Sequence, residues 1–308
     1  MANDGLDRMK AALLPDRGMV KVVGDGGRNF LHGLVTADML ELTPGAARFT
    51  ALLTPQGKII ADFMVAEAPA ADGGGFFLDV PRALARVLVE KLNLYKLRAK
   101  LTIEDLSETL VVLAAWDGGG SSANKTKHGM AYADPRLPAL GLRITLPPDL
   151  AAVAAADLGA ALVDAGEYEA HRIALGVPRG GADFSYGVAF PHEADMDQLG
   201  GVDFAKGCYV GQEVVSRMEH RGIARTRTVP VRYDGDAPAA GAAVTAGTHQ
   251  VGAMGSAAAG RGVALLRLDR VAEAVSRGEQ LTAGGVPIRL VKPDWARFAF
   301  PNGTKAAE

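Results

Sequence analysis

Short apolar runs separated by turn residues dominate the first third of the chain. Met19–Val23 is a continuous apolar-rich run, which is typical of a buried strand. Two more strand-like runs flank Thr54–Gly57, where a proline and a glycine indicate a hairpin turn. The pattern also predicts strands at Phe76–Val80, Lys100–Leu106 and Thr109–Trp116.

Helical spacing of apolar residues alternates with these strands. Asn29–Leu42 has the spacing of an amphipathic helix, and Pro81 precedes a predicted helix at Arg82–Asn93. Two further helices are predicted at Leu150–Gly166 and Glu167–Leu175, the second ended by Gly176 and Pro178. Strands and helices in this order predict an α+β fold.

The pattern changes after Arg227, where short strand candidates are separated by glycine turns. These candidates predict a small antiparallel barrel or sandwich. We therefore expect a body at residues 1–227, made of two interleaved α+β domains, and a C-terminal β-barrel domain at residues 228–308. The strand candidates are Thr228–Gly235, Ala242–Gly247, His249–Ser256 and Arg261–Asp269.

Composition narrows the possible functions. The chain has 308 residues, a net charge of −2 and 22% charged residues, which gives no support for a nucleic-acid surface or a polybasic membrane patch. No apolar run is long enough to cross a bilayer. The six histidines form no close metal pair, so no metal centre is expected. A lone cysteine and an N-terminus without a targeting pattern predict a cytoplasmic protein.

The single cysteine, Cys208, lies in the stretch KGCYVGQEVVSRMEHRG. Lys206, Arg217 and Arg221 supply cations that would favour a thiolate if they fold near the sulfur. The flanking glycines allow a close approach to the thiol. A buried, inert cysteine remains the alternative, and no Cys–His arrangement indicates a hydrolase.

The segment KGCYVGQE, residues 206–213, is similar to the signature KGCYxGQE of the folate-binding YgfZ proteins, which are relatives of the glycine-cleavage T-protein. The resemblance extends through FLHGLVTAD, LLTPQGKIIADF, YKLRAK and RIALGVP. It implies a T-protein-like ring of three domains with a ferredoxin-like unit and a C-terminal antiparallel β-barrel. It further implies binding of tetrahydrofolate, or a one-carbon derivative, and support for maturation or repair of iron–sulfur enzymes. The implied partners are iron–sulfur client proteins or assembly factors.

Folate binding requires polar partners for the pterin, an aromatic or apolar wall and cations for the glutamyl carboxylates. We expect Cys208 and Lys206 to form the reactive centre. The candidate folate contacts are Asp38, Gln212 and Glu213 for the pterin, Tyr186 and Tyr209 for the wall, and Lys58, Arg98, Arg172 and Arg217 for the carboxylates.

A folate-dependent one-carbon transferase is the alternative function. The aminomethyltransferases resembled here place a catalytic aspartate on the helix after the FFLDV-type strand. Val80–Lys100 contains no aspartate, and Ala174 stands where those enzymes have a folate-contacting glutamate. An accessory protein without that transfer chemistry is therefore the favoured prediction.

Overall fold

A computed structural model describes residues 9–118, 127–222 and 224–301. The chain forms two compact units that are interleaved in sequence. Unit 1 consists of residues 1–53, 61–168 and 200–210, and unit 2 of residues 54–60, 169–199 and 211–308. One boundary between the units therefore lies inside the KGCYVGQE segment, between Val210 and Gly211.

The first five-stranded sheet of unit 1 carries a long helix on one side. This helix, α2 (Arg82–Lys96), packs against the sheet and buries Ala85, Leu88 and Leu92. Their spacing of three and four residues forms one apolar face, as the sequence predicted. In spatial order the strands are β3 (Ala47–Leu53), β4 (Ile59–Glu67), β5 (Phe76–Pro81), β2 (Arg17–Val23) and β6 (Thr102–Asp105).

The second sheet of unit 1 packs against a short alanine-rich helix, α3 (Ala151–Asp157). The predicted helix at Leu150–Gly166 is wrong beyond Asp157, because the chain turns at Gly159 with φ 68° and Ala161 then pairs with Lys10 in a parallel strand. In spatial order the strands are β10 (Ala161–Leu162), β1 (Lys10–Leu13), β7 (Val111–Trp116), β9 (Leu142–Leu146) and β8 (Met130–Ala133).

A buried network of charges links the two sheets of unit 1. Arg17 on β2 donates to Asp79 on β5 at 2.6 Å, and Arg143 on β9 donates to the other oxygen of Asp79 at 2.5 Å. Arg143 also donates to Asp134 at 2.8 Å. Burial raises the pKa of Asp79, but the charges of Arg17 and Arg143 outweigh it and keep that pKa below its usual range.

The predicted helix at Asn29–Leu42 is also shorter in the structure. Helix α1 spans Gly27–His32 and ends at Gly33. Val35 pairs instead with Leu52 of β3, so the apolar residues after Gly33 bury themselves through irregular backbone against the sheet. The spacing of apolar residues in this segment therefore reflects which residues are buried and does not indicate a helix.

Unit 2 contains a closed six-stranded barrel in which every neighbouring pair is antiparallel, and this confirms the predicted barrel. No helix among residues 9–118, 127–222 and 224–301 combines the length and apolar character needed to span a bilayer. Unit 2 contains the helices α5 (Gln212–Arg221) and α6 (Leu268–Ser276), while α4 (Ala165–Ala174) crosses the boundary between the units. The barrel strands are, in spatial order, β11 (Thr226–Tyr233), β14 (Arg261–Arg267), β13 (His249–Ala258), β12 (Ala243–Ala246), β15 (Leu281–Ala283) and β16 (Val286–Leu290).

Candidate functional site

The segment that leads to Cys208 is fixed to the loop after α1 by buried hydrogen bonds within unit 1. The Thr36 hydroxyl donates to the carbonyl of Gly201 at 2.5 Å, and the Asp203 N–H donates to the carbonyl of Thr36 at 2.9 Å. Thr36 is fully buried, so these bonds are shielded from competing water. Two stretches about 165 residues apart in sequence therefore share one site.

Lys206 anchors the same segment through its ammonium group. Its Nζ donates to the carbonyls of His32 and Val35 at 2.6 Å each and to that of Ala37 at 3.1 Å. An ammonium has three N–H donors, and all three are used. Burial lowers the pKa of Lys206 to about 8, although the charges of Asp38 and Asp203 oppose the shift.

Cys208 differs in its exposure from Lys206 and Tyr209, the two side chains on either side of it. Lys206 and Tyr209 are buried, whereas the Cys208 thiol is exposed. The position of Gly207 is open, since a Cβ built there would meet no heavy atom within 4 Å. The thiol is therefore open to contact with other molecules, and the alternative of a buried cysteine is excluded.

Tyr209 has a polar atom that the described residues leave unsatisfied. Its side chain is 7% exposed, and its hydroxyl is buried without a hydrogen-bond partner in the described part of the chain. Burial, assisted by the charge of Asp203, raises the pKa of Tyr209 to about 12. A neutral phenol that lacks a partner in a buried position is a candidate contact for a bound ligand or water.

Asp38 lies at the edge of the Lys206 cluster. Its Oδ1 accepts the Leu40 N–H at 2.7 Å and lies 3.1 Å from Nδ1 of His32. Burial raises the pKa of Asp38. The Leu40 hydrogen bond and the charges of His32 and Lys206 lower this pKa by more, so the net shift is downward. Asp38 is therefore a carboxylate at neutral pH.

The second half of the KGCYVGQE segment belongs to unit 2. Gly211 adopts φ 84°, which favours glycine, and α5 begins at the next residue, Gln212. Gln212 is half-buried, while Glu213 and Arg217 are exposed and form an ion pair one helical turn apart. Such an exposed pair contributes little to stability, so both side chains are available for other contacts.

Two other predicted contacts, Lys58 and Tyr186, also lie in unit 2. Lys58 Nζ is 3.1 Å from the centre of the Phe190 ring, and burial lowers the pKa of Lys58 against the opposing charge of Glu193. The Tyr186 ring packs edge-on against Phe184 at 5.6 Å. Both residues are half-buried.

The two remaining predicted arginines, Arg98 and Arg172, differ in their availability to a ligand. Arg98 is exposed in unit 1, just beyond the end of α2. Arg172 is buried at 2% exposure, and its five N–H groups donate to Glu169, Asp183 and two further acceptors. The prediction that Arg172 binds a ligand carboxylate therefore needs correction, because its guanidinium has no donor left. The two further acceptors are the carbonyl of Val177 and the hydroxyl of Ser256.

Of the sequence-predicted residues, unit 1 brings Asp38, Lys206, Cys208 and Tyr209 into one region. Sequence reasoning missed Thr36 and the backbone carbonyls that bind Lys206. The stretch FLHGLVTAD, which carries part of the family resemblance, contains all of these groups and was the available signal.

Comparison with known proteins gives two kinds of similarity. Residues 225–298 match the family model described as the CAF17 C-terminal beta-barrel domain. Over 234 residues the chain is 37% identical to the mitochondrial iron–sulfur cluster assembly factor IBA57 homolog of Mycosarcoma maydis, covering 73% of this chain and 57% of that protein. The IBA57 homolog of Pyricularia oryzae is 35% identical over 224 residues, covering 72% of this chain and 57% of the relative. The chain thus spans just over half the length of these two relatives.

Among solved structures, the chain resembles the glycine cleavage system aminomethyltransferase T from Bartonella henselae. The TM-score is 0.73 at 16% sequence identity, covering 96% of this chain and 88% of that one. Identity at this level shows a shared fold and nothing about a shared reaction. The predicted T-protein-like α+β fold with a C-terminal antiparallel barrel is therefore confirmed.

The names of the relatives also correct one expectation. They are called mitochondrial, which contradicts the cytoplasmic location predicted from the sequence. A lone cysteine indicates only that no intramolecular disulfide forms, so it does not distinguish one compartment from another. The chain has the T-protein fold, ends in a barrel of the CAF17 type and has iron–sulfur cluster assembly factors of the IBA57 kind as its homologues.

Proposed function

We propose that this chain is an iron–sulfur cluster assembly factor that uses Cys208 as its working thiol. The observation that carries the proposal is the exposure of Cys208 between two buried, anchored neighbours. Hydrogen bonds from Lys206 hold the backbone on one side of the thiol, and the buried Tyr209 ring holds the other. An inert cysteine would not need this support.

The chemistry follows from the number of thiols. A thiolate is a ligand for iron, but the clusters are held by several protein ligands and this chain contains one cysteine. Cys208 would therefore contact a cluster together with ligands from a client or another assembly factor. The cluster is then cargo that passes through the contact, and the closer assignment to the YgfZ family remains part of this proposal.

We further propose that a reduced folate binds beside this segment. Two residues of unit 1 support the proposal: the unsatisfied Tyr209 hydroxyl is suited to a polar ligand group, and the Asp38 carboxylate is suited to the amino and ring N–H donors of a pterin. A reduced folate supplies a carrier for one-carbon units. Arg98, which is exposed in the same unit, is the candidate cation for its glutamyl carboxylates. Aminomethyl transfer is not supported, because α2 contains no aspartate.

The role of the Cys208 thiol is tested by removing it and by moving it to the neighbouring position. Cys208→Ser should fold like the parent chain, since the side chain is exposed, yet fail to restore iron–sulfur enzyme activity in cells that lack the protein. The matched control is Cys208→Ser combined with Gly207→Cys, which returns one exposed thiol to the same loop at an open position. Both variants should fail. Full restoration by Cys208→Ser would refute the proposal.

Folate binding is tested separately with Tyr209→Phe and titration calorimetry using tetrahydrofolate under anaerobic conditions. The variant loses no hydrogen bond to described residues, so its free energy of unfolding should change by less than about 0.5 kcal/mol. Loss of a ligand hydrogen bond of about 0.5–1.5 kcal/mol should weaken folate binding about two- to tenfold. Tyr233→Phe, in the barrel, is the control. Equal folate affinity in both variants would remove Tyr209 from the site.

A further inference from the structure

Three potential metal ligands converge in unit 2, away from the residues discussed above. One nitrogen of His192 and one carboxylate oxygen each from Asp197 and Glu219 lie within 4.8 Å of one another. His192 and Asp197 come from the turns that follow Phe190, and Glu219 comes from the last turn of α5. The sequence predicted no metal centre, because these three residues are spread over 28 positions and form no short metal-binding motif.

The distance between two of these atoms is compatible with a shared ion. Nε2 of His192 lies 3.0 Å from Oε2 of Glu219. Two donors that are each about 2.1 Å from one ion and separated by that distance subtend an angle of about 90° at the ion. This is an ordinary angle for a five- or six-coordinate divalent metal. The third donor, a carboxylate oxygen of Asp197, lies within 4.8 Å of the other two and needs only a small movement to reach the same ion.

Hydrogen bonds from two neighbouring side chains hold the Asp197 carboxylate in place. Its Oδ2 accepts from Arg227 at 2.8 Å and from Gln198 at 2.6 Å, while its Oδ1 accepts from Arg227 at 2.9 Å. Oδ1 therefore keeps a lone pair that these hydrogen bonds do not use. Hydrogen bonds of this kind orient metal-binding carboxylates.

The charges around the cluster favour a cation despite the nearby guanidinium. Arg227 is already paired with two carboxylates, Asp195 at 3.0 Å and Asp197 at 2.8 Å. Glu219 adds a third carboxylate, whose Oε2 lies 3.0 Å from Nε2 of His192. Burial raises the pKa of Asp195 to about 7, so this residue carries only part of a negative charge at neutral pH, but the carboxylates of Asp197 and Glu219 still outnumber the single guanidinium and favour a cation.

Solvent can also reach the cluster. His192, Glu219 and Arg227 are among the residues that line an open cavity of about 690 Å³ in unit 2. Waters in this cavity would complete the coordination of an ion that has three protein ligands. The cavity also provides a route of entry for the ion.

From these observations we propose that His192, Asp197 and Glu219 form a binding site for a divalent first-row transition ion such as Mn²⁺ or Zn²⁺. One imidazole and two carboxylates are ligands that suit these ions. Binding would replace the His192–Glu219 hydrogen bond with coordination by both side chains. It would also tie the end of α5 to the turns after Phe190, and α5 is the helix whose first residue follows the Cys208 loop in sequence.

The test is a titration of the full chain with Mn²⁺. Binding is measured by electron paramagnetic resonance as the loss of the signal of free Mn²⁺. Mn²⁺ is chosen because it prefers oxygen and nitrogen donors and does not select the thiol of Cys208. We expect one Mn²⁺ per chain and a rise in melting temperature with the ion. Glu219→Gln, an exposed substitution that keeps the side-chain shape, should weaken binding about tenfold or more and abolish the rise.

Two matched controls separate this site from general binding by surface groups. His220→Asn removes an exposed histidine next to Glu219, and Glu273→Gln removes an exposed carboxylate on α6. Both should bind Mn²⁺ like the parent chain. Absence of binding at millimolar Mn²⁺, or equal affinity in Glu219→Gln and the controls, would overturn the proposal and leave the His192–Glu219 contact as a simple hydrogen bond.

Discussion

Replacing Lys206 by methionine tests whether its ammonium anchors the Cys208 segment. Methionine keeps most of the length and apolar volume of the lysine side chain but has no N–H donor. The carbonyls of His32, Val35 and Ala37 would each lose a charge-assisted hydrogen bond. Because Lys206 is buried, little water can replace the lost ammonium at these oxygens.

The size of the effect is the difference between two opposing contributions. Each hydrogen bond to a charged group contributes roughly 1.5–3 kcal/mol to stability. Burial opposes this by moving the pKa of Lys206 from 10.5 to about 8, which corresponds to about 3 kcal/mol against the charged form. We therefore expect Lys206→Met to lower the free energy of unfolding by about 3 kcal/mol at pH 7.

The same pKa shift predicts an unusual dependence on pH. The folded state releases the Lys206 proton near pH 8, whereas the unfolded state keeps it until about pH 10.5. Between these values the unfolded state binds more protons, so stability increases with pH. Lys206→Met lacks this titration. The stability advantage of the parent chain over the variant should therefore grow above pH 8, by at most about 1.4 kcal/mol per pH unit.

Urea unfolding followed by tryptophan fluorescence provides the measurement. Trp116 is buried in unit 1 and Trp295 lies in unit 2, so a Trp295→Phe background reports on unit 1 alone. Lys91→Met, an exposed substitution on α2, is the matched control and should change the free energy of unfolding by less than about 0.5 kcal/mol. A variant as stable as the parent chain at pH 7, or a difference that does not increase between pH 8 and 9.5, would refute the reasoning.

Three further substitutions test other parts of the structure. Arg172→Met should lower the free energy of unfolding by about 3–5 kcal/mol because it strands Asp183, whereas tetrahydrofolate affinity measured in the folded variant should not change. Arg143→Met should cost a similar amount by leaving Asp79 and Asp134 short of a partner, which urea unfolding at the Trp116 probe would detect; an unchanged midpoint would contradict the network. Gly252→Ala should destabilise the barrel, since a Cβ there would lie 2.1 Å from the Leu265 carbonyl, while Gly166→Ala in α4 meets no atom within 4 Å and should stabilise the protein by about 0.5–1 kcal/mol. Thermal melting of both glycine variants would show whether their effects have opposite signs.

The sequence predicted those elements in which the buried residues repeat at the spacing of the secondary structure that they form. Helix α2 has an apolar stripe at helical spacing, and the barrel strands alternate between glycine turns, so both were found. The helices predicted at Asn29–Leu42 and Leu150–Gly166 were too long, because apolar residues that pack on a sheet through irregular backbone or short strands imitate helical spacing.

The candidate site was predictable only where it depends on residue type. Cys208 stands out as the single cysteine, and the glycines beside it indicated that the thiol could be approached. The partners of Lys206 were not, because they are backbone carbonyls about 170 residues away, and a carbonyl leaves no mark in the amino-acid sequence. Arg172 was misjudged for a related reason. An arginine suits a ligand carboxylate by residue type, but the contacts of Arg172 with Asp183 and Ser256 join residues that are distant in sequence and form only in the folded chain.

The interleaving of the two units also sets an order for synthesis on the ribosome. Each unit is made of three separate segments, so the chain passes between the units five times. Unit 1 lacks its third segment until Val210 has been translated, by which point about two-thirds of the chain has been made. At roughly 5–20 residues per second, the first strands of the unit wait ten seconds or more for the segment that carries Lys206 and Cys208. A nascent chain therefore cannot bind Lys206 to its carbonyls, and so cannot present an anchored thiol, until the late portion of unit 1 has left the ribosome.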